Sequence, residues 1–178
     1  NGVSLIQFNR PESYNALDLE AIEQLGSVIE EVKANDDKLV ILSGKGKAFS
    51  AGGDVSMMAT LKDENLFDQL MDKLNEAVLS LYSLNKIVIS AVNGSAAGLG
   101  LSIALNADYV VANHEARFGM LFAGIGLIPD GGGHFFLKER VGNHQAKQFI
   151  WSLEQISGEK AKEYGFVDLL TNGNALDA

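Results

Sequence analysis

The chain contains no cysteine. Disulfides, thiolate metal sites and a cysteine nucleophile are therefore excluded. Basic residues are also scarce: 14 Lys and Arg stand against 23 Asp and Glu, a formal net charge of −9. A nucleic-acid partner normally requires a basic face, so that class is set aside. No apolar run reaches the ~18 residues of a membrane span. The closest, Ile87–Asn106, is interrupted by Asn93, Gly94 and Ser95. The chain starts at Asn1 without a signal-like segment, so a cytoplasmic location without a membrane partner is the expectation. Both ends look trimmed, and a longer gene product is expected. The histidines, His114, His134 and His144, show no zinc-like spacing, so no metal is expected.

What is present suits one compact domain. Hydrophobic residues make up 47% of 178 positions and charged residues 21%, ordinary proportions for a globular fold with a sizeable core. Val3–Phe8 and Leu39–Leu42 read as strands, as does Asp108–Ala112, and Phe166–Leu170 as a last one. Between Leu17 and Lys33 the apolar residues fall at 22, 25, 28, 29 and 32, a helical stripe with Glu20, Glu23, Glu30 and Glu31 outside it. A second amphipathic helix places Leu66, Leu70, Leu74, Val78 and Leu81 on one face, joined by Phe67 and Met71. Shorter helices are expected near His134–Val141, Gln145–Ser152 and Glu159–Tyr164, the last stopped by Gly165. Phe49–Asp54 reads as a small-residue loop. Alternating strands and helices mean an α/β domain.

The chain is organised around Ile87–Asn106. Its β-branched opening suits a strand buried on both faces. Asn93-Gly94-Ser95 is a turn signal, and an Ala/Gly/Leu run follows that reads as a buried helix. Gly98 and Gly100 are costly there, about 1 kcal/mol each against alanine. Close approach of something to the backbone would explain them. Amides in the first helical turn lack partners and sit at the positive end of the dipole, so this stretch reads as a cradle for an anion or oxyanion.

Other motifs are weaker. Gly98-Leu99-Gly100 lacks the third glycine of a dinucleotide fingerprint, because Ile103 stands there, and Gly44-Lys45-Gly46-Lys47 lacks the spacing and hydroxyl of a phosphate loop. Ser95 lacks the flanking glycines of a nucleophile elbow. Asp54 follows two glycines and reads equally as a helix cap or a binding carboxylate. Asp130 weighs most. It stands between Pro129 and three glycines, Gly131 to Gly133. A helix cap is the plain reading. The functional one is that Phe118, Phe122, Ile125, Leu127 and Ile128 desolvate the carboxylate and make it a stronger base, while the glycines leave room for a substrate.

These residues carry a resemblance. Phe49-Ser50-Ala51-Gly52-Gly53-Asp54, then Ala91–Gly98, Phe118-Gly119 and Gly126-Leu127-Ile128-Pro129-Asp130-Gly131-Gly132 resemble the enoyl-CoA hydratase/isomerase (crotonase) superfamily. Asn9-Arg10-Pro11 and Asn15-Ala16-Leu17 fit its N-terminal pattern. The resemblance implies a single domain over residues 1–178, a crotonase-like spiral of β-β-α units with flanking helices. It implies an acyl-CoA thioester substrate, with coenzyme A arriving as part of it and no permanent cofactor. Asn15, Ala16 and Leu17, with Ala51, Gly53, Asp54, Val55 and Ser56, would line the CoA. The amides of Gly53 and Leu99 would hold the thioester oxygen, and Phe118, Leu121 and Phe122 would line the acyl pocket. A homotrimer or hexamer is implied, although the helical segment used for trimer assembly is not among these residues.

The departures favour one branch. Hydratases of this family use two glutamates, where this chain has Ser102 and Phe122. Neither can deprotonate water or deliver a proton. Asp130 instead matches the carboxylate of several isomerase branches, above all the ring-isomerase branch of phenylacetate degradation and the Δ3,Δ2-enoyl-CoA isomerases. The resemblance therefore implies double-bond migration with Asp130 as base and then acid. Alternatives are a hydratase using Asp130 alone, a hydrolytic or dehalogenating branch with Asp130 as nucleophile, and a non-catalytic acyl-CoA-binding protein.

Overall fold

A computed structural model describes residues 2–60 and 64–178. Strands come in pairs, and the two members of a pair enter different sheets. The first members, β2 (Leu39–Gly44), β4 (Ile87–Val92) and β6 (Tyr109–Asn113), flanked by β1 (Val3–Phe8) and β9 (Leu169–Thr171), which belong to no such pair, form a five-stranded sheet in the order β1-β2-β4-β6-β9. All its pairings are parallel. The second members are β3 (Ala48–Ser50), β5 (Ser95–Ala97) and β7 (Arg117–Gly119), and they form a smaller parallel sheet, to which β8 (Gln155–Ser157) adds an antiparallel edge. The β-β-α repeat expected of the spiral is thus present.

The helices close the core from outside. In α1 (Leu19–Ala34) the stripe residues Ile22, Leu25, Ile29 and Val32 are buried, and Asp18 caps the helix by accepting from Ala21 N–H at 2.9 Å. Helix α3 (Glu64–Tyr82) buries Leu70, Leu74, Ala77, Val78 and Leu81, whereas Leu66 and Phe67 at its start are exposed. The apolar face of α3 is therefore shorter than its sequence stripe. A helix α2 (Val55–Thr60) precedes it. The remaining helices are α4 (Leu99–Leu105), α5 (Gly133–Val141), α6 (Asn143–Ser152) and α7 (Gly158–Tyr164), the last ended by Gly165 in the left-handed region.

Four short strands depart from the sequence reading. The loop expected at Phe49–Asp54 begins as β3, β5 takes the last residue of the expected turn and the first two of the run read as helix, and β7 and β8 had no strand signal. Each has three residues, too few for a period of two to register. The glycines of α4 also have a different cause from the one expected. Gly98 takes φ 51°, and a β-carbon on Gly100 would stand 2.4 Å from the carbonyl oxygen of Ser50. The close approach at Gly100 is by the chain's own strand β3, not by a ligand.

Candidate active site

The parallel strands β3, β5 and β7 lie side by side, with Ser50 opposite Ala96, Ala96 opposite Phe118, and Ala97 opposite Gly119. The segments leaving their carboxyl ends are therefore neighbours, and such ends are where open α/β sheets bind ligands. They are Gly52–Gly53 after β3, Gly98–Leu99 after β5 and Met120–Phe122 after β7.

A β-carbon on Gly52, at φ 98°, would stand 2.7 Å from Ala97 O and 3.3 Å from Leu99 N. Only glycine lets the two loops come so close. The amides of Gly53 and Leu99 are thus brought to one place, and neither donates a hydrogen bond among the described residues. Leu99 is the first residue of α4, so its N–H also lies at the positive end of a helix.

Asp130 joins them from a third direction. A β-carbon on Gly131 would stand 2.4 Å from Leu99 Cδ1 and 3.4 Å from Ser102 Cβ. The Asp130 carbonyl accepts from Gly133 N–H and from the Ser102 hydroxyl, each at 2.9 Å. Its side chain caps nothing. The cap position of α5 is Gly132 at φ 73°, with no side-chain cap bond. Asp130 Oδ1 is buried without a hydrogen-bond partner, and burial pushes the carboxyl up to about 6. The helix-cap reading of Asp130 therefore falls. A buried carboxylate oxygen without a partner is expensive, which makes this residue a functional candidate on physical grounds.

Two reasons given for Asp130 need correction. Of the five residues expected to desolvate it, Phe118 and Phe122 are buried, but Ile125, Leu127 and Ile128 are exposed, at 59, 40 and 84%. The glycines that follow it seat the turn against Leu99, Ser102 and Met120. The following glycines do not leave open room either. Phe136 occupies the β-carbon space of Gly132, and the Ser102 hydroxyl that of Gly133. They allow a tight turn and close packing.

The expected CoA segments come together. Leu17 N–H donates to Gly52 O at 2.8 Å and Asp54 N–H to Leu17 O at 2.9 Å, pairing Asn15–Leu17 with the loop after β3. Leu17 as a whole is buried in the core and spends its N–H and C=O on these two bonds, so it ties the segment to the loop and does not line a ligand surface, contrary to expectation. Asn15 is buried too: its Nδ2 donates to Lys45 O and Ala48 O, and its Oδ1 accepts from Arg10 N–H. Its side chain braces the strap and is not directed at a ligand. Asp54 Oδ1 accepts from the Ser56 hydroxyl at 2.6 Å and from the amides of Ser56 and Met57, capping α2. These bonds, the Ser56 hydroxyl first, hold its carboxyl below the usual range. Ala16 is half-buried, and Ala51, Val55 and Ser56 are exposed along the same rim.

The expected acyl pocket divides. Phe118 is wholly buried, its ring 5.9 Å from that of Phe166. It belongs to the core, because β7 points it away from the loops. Leu121 is half-buried, its side chain 3.2 Å from the β-carbon position of Gly119. Phe122 remains at the site. Its ring tip is 3.7 Å from where a β-carbon on Gly98 would lie. Arg10 was notable only as part of Asn9-Arg10-Pro11. Its guanidinium donates to Ala16 O at 2.6 Å and pairs with Asp18 at 3.0 Å, bracing the rim. No sequence spacing announces that contact. Among the described residues no three His, Asp or Glu side chains cluster as a metal site would need, and no helix is long and apolar enough to cross a membrane.

The enoyl-CoA hydratase/isomerase family model matches residues 1–176. The chain belongs to that family. It is 45% identical over 166 residues to YhaR of Bacillus subtilis (strain 168), whose enoyl-CoA hydratase/isomerase name is itself provisional, a match covering 93% of this chain and 65% of that one. It is 36% identical over 170 residues to the 1,2-epoxyphenylacetyl-CoA isomerase of Escherichia coli (strain K12), covering 93% and 65%. The crystal structure of an enoyl-CoA hydratase from Bacillus anthracis superposes with a TM-score of 0.90 at 31% identity, covering 96% of this chain and 66% of that one. The chain thus spans about two thirds of the length of these relatives.

Proposed function

We propose that the protein is an acyl-CoA isomerase that moves a carbon–carbon double bond through an enolate. The observation that carries this is Asp130: half-buried, with one carboxylate oxygen unpartnered, capping no helix, and packed through Gly131 against Leu99. Ionised, it removes a proton from carbon 2 of a 3-enoyl thioester. The C–H electron pair enters the conjugated system and charge develops on the thioester oxygen. The amides of Gly53 and Leu99 donate to that oxygen. Asp130 returns the proton to carbon 4, giving the 2-enoyl thioester. A second carboxylate is unnecessary because one group serves as base and then acid. Coenzyme A lies along the rim formed by Ala16, Ala51, Gly53, Val55 and Ser56, held by backbone groups. A homotrimer or hexamer is the assembly that accompanies this reading.

Family relatives include hydratases as well as isomerases, so hydration is the competing outcome. It requires an oriented water, and at the two places where hydratases of this family carry glutamates this chain has Ser102 and Phe122. A panel of 3-enoyl, 2-enoyl and aryl-acetyl CoA thioesters separates the outcomes. Isomerisation predicts conversion of 3-enoyl to 2-enoyl thioester faster than any formation of 3-hydroxy product. The reverse order would establish a hydratase. A trapped acyl-enzyme would mark Asp130 as a nucleophile, and thermal stabilisation by acyl-CoA without turnover would mark a binding protein.

A further inference from the structure

We infer that Ser102 is a positioning residue for Asp130, tying the aspartate's main chain to the first turn of α4 so that the carboxylate and the Leu99 amide are held as one unit. This rests on the isomerase reading of the site. Ser102 is wholly buried. A buried helical serine commonly bonds back to the carbonyl four residues earlier. Here that contact, to Gly98 O, measures 3.4 Å, whereas Asp130 O lies at 2.9 Å. A hydroxyl has one proton to give, and the shorter contact takes it. The bond spans 28 residues of sequence and joins the two elements that carry the proposed base and one proposed oxyanion donor. Packing reinforces it: the β-carbon positions of Gly131 and Gly133 lie 3.4 Å from Ser102 Cβ and 2.3 Å from its Oγ. The turn has no other side-chain hydrogen bond to its Asp130 carbonyl among the described residues.

The test measures kcat, KM and melting temperature for Ser102→Ala, Ser102→Thr and Asp130→Asn, with a 3-enoyl-CoA thioester. Displacing a reacting group by about 1 Å costs up to ~100-fold. Ser102→Ala is expected to lower kcat by about tenfold or more with KM within about twofold. Ser102→Thr keeps a hydroxyl that can adopt the same rotamer, and is expected to recover kcat to within a few-fold of the parent. A role in stability alone would lower the melting temperature and leave kcat per folded molecule unchanged. Ser102→Ala retaining kcat while Asp130→Asn is inactive would overturn the inference and leave the isomerase reading standing. Normal turnover by Asp130→Asn would instead remove the reading beneath it. Where Ser102→Ala does not fold, a folded Ser102→Thr as slow as Asp130→Asn overturns the inference.

Discussion

The ring of Phe122 closes over Gly98, its tip 3.7 Å from where a β-carbon on that glycine would be. Gly98 immediately precedes the proposed oxyanion donor Leu99, so the ring packs beside the turn that carries that amide. Phe122→Ala is expected to cost ~3–5 kcal/mol of stability if the cavity does not collapse. It should also raise the proportion of 3-hydroxy product above that of the parent. Product ratios from one 3-enoyl thioester, read by chromatography, check this.

The elevated carboxyl of Asp130 fixes a pH dependence. The base works ionised, so kcat/KM is expected to rise with pH through an inflection near 6 and to level off above it. An ordinary surface aspartate would place that inflection about two units lower. A pH–rate profile between pH 4 and 8 distinguishes them.

The same group implies a stability change of opposite sense. Burial raises its folded value above the unfolded one. Its favourable contribution is therefore complete below the unfolded value near 4 and is lost as pH rises through about 6. Asp130→Asn removes the buried charge. It is expected to raise stability at pH 8 by on the order of 1–2 kcal/mol after allowance for the solvated part of the carboxyl, and the melting temperature with it. The gain should shrink towards pH 4. Thermal melts of both proteins at pH 4, 6 and 8 measure it.

Asp54 separates a cap from a ligand contact. Its Oδ1 accepts three hydrogen bonds at the start of α2. Asp54→Ala is expected to cost ~1 kcal/mol of stability while changing KM for acyl-CoA by no more than a few-fold. A large rise in KM with unchanged melting temperature would give the carboxylate a direct role in binding.

Much of this fold is legible in the sequence where periodicity runs long. The α1 stripe at Ile22, Leu25, Ile29 and Val32 is buried as its pattern requires, whereas the β-branched opening of β4, expected to be buried on both faces, buries only Val88 and leaves Ile87 exposed. Strands β3, β5 and β8 are too short for that signal, yet β3 and β5 set the separation of the two amides. Hydrophobicity alone also misplaces residues. Phe118 is in the core and Ile128 is in solvent, because alternation along β7 and the path of the following turn decide which side faces in. Asp130 stands out from its neighbours in the sequence. Its link to Ser102 does not, since contact across 28 residues leaves no local pattern.

The most direct measurement is Asp130→Asn assayed for binding and turnover together. Asparagine keeps the shape of the side chain and cannot accept the proton. The account predicts acyl-CoA affinity within about twofold of the parent and turnover lower by ~10²–10⁴. In deuterated water, incorporation of label at carbons 2 and 4 of the thioester should stop. Full turnover by that variant, with label still entering the substrate, would contradict the assignment of Asp130 as the group that carries the proton.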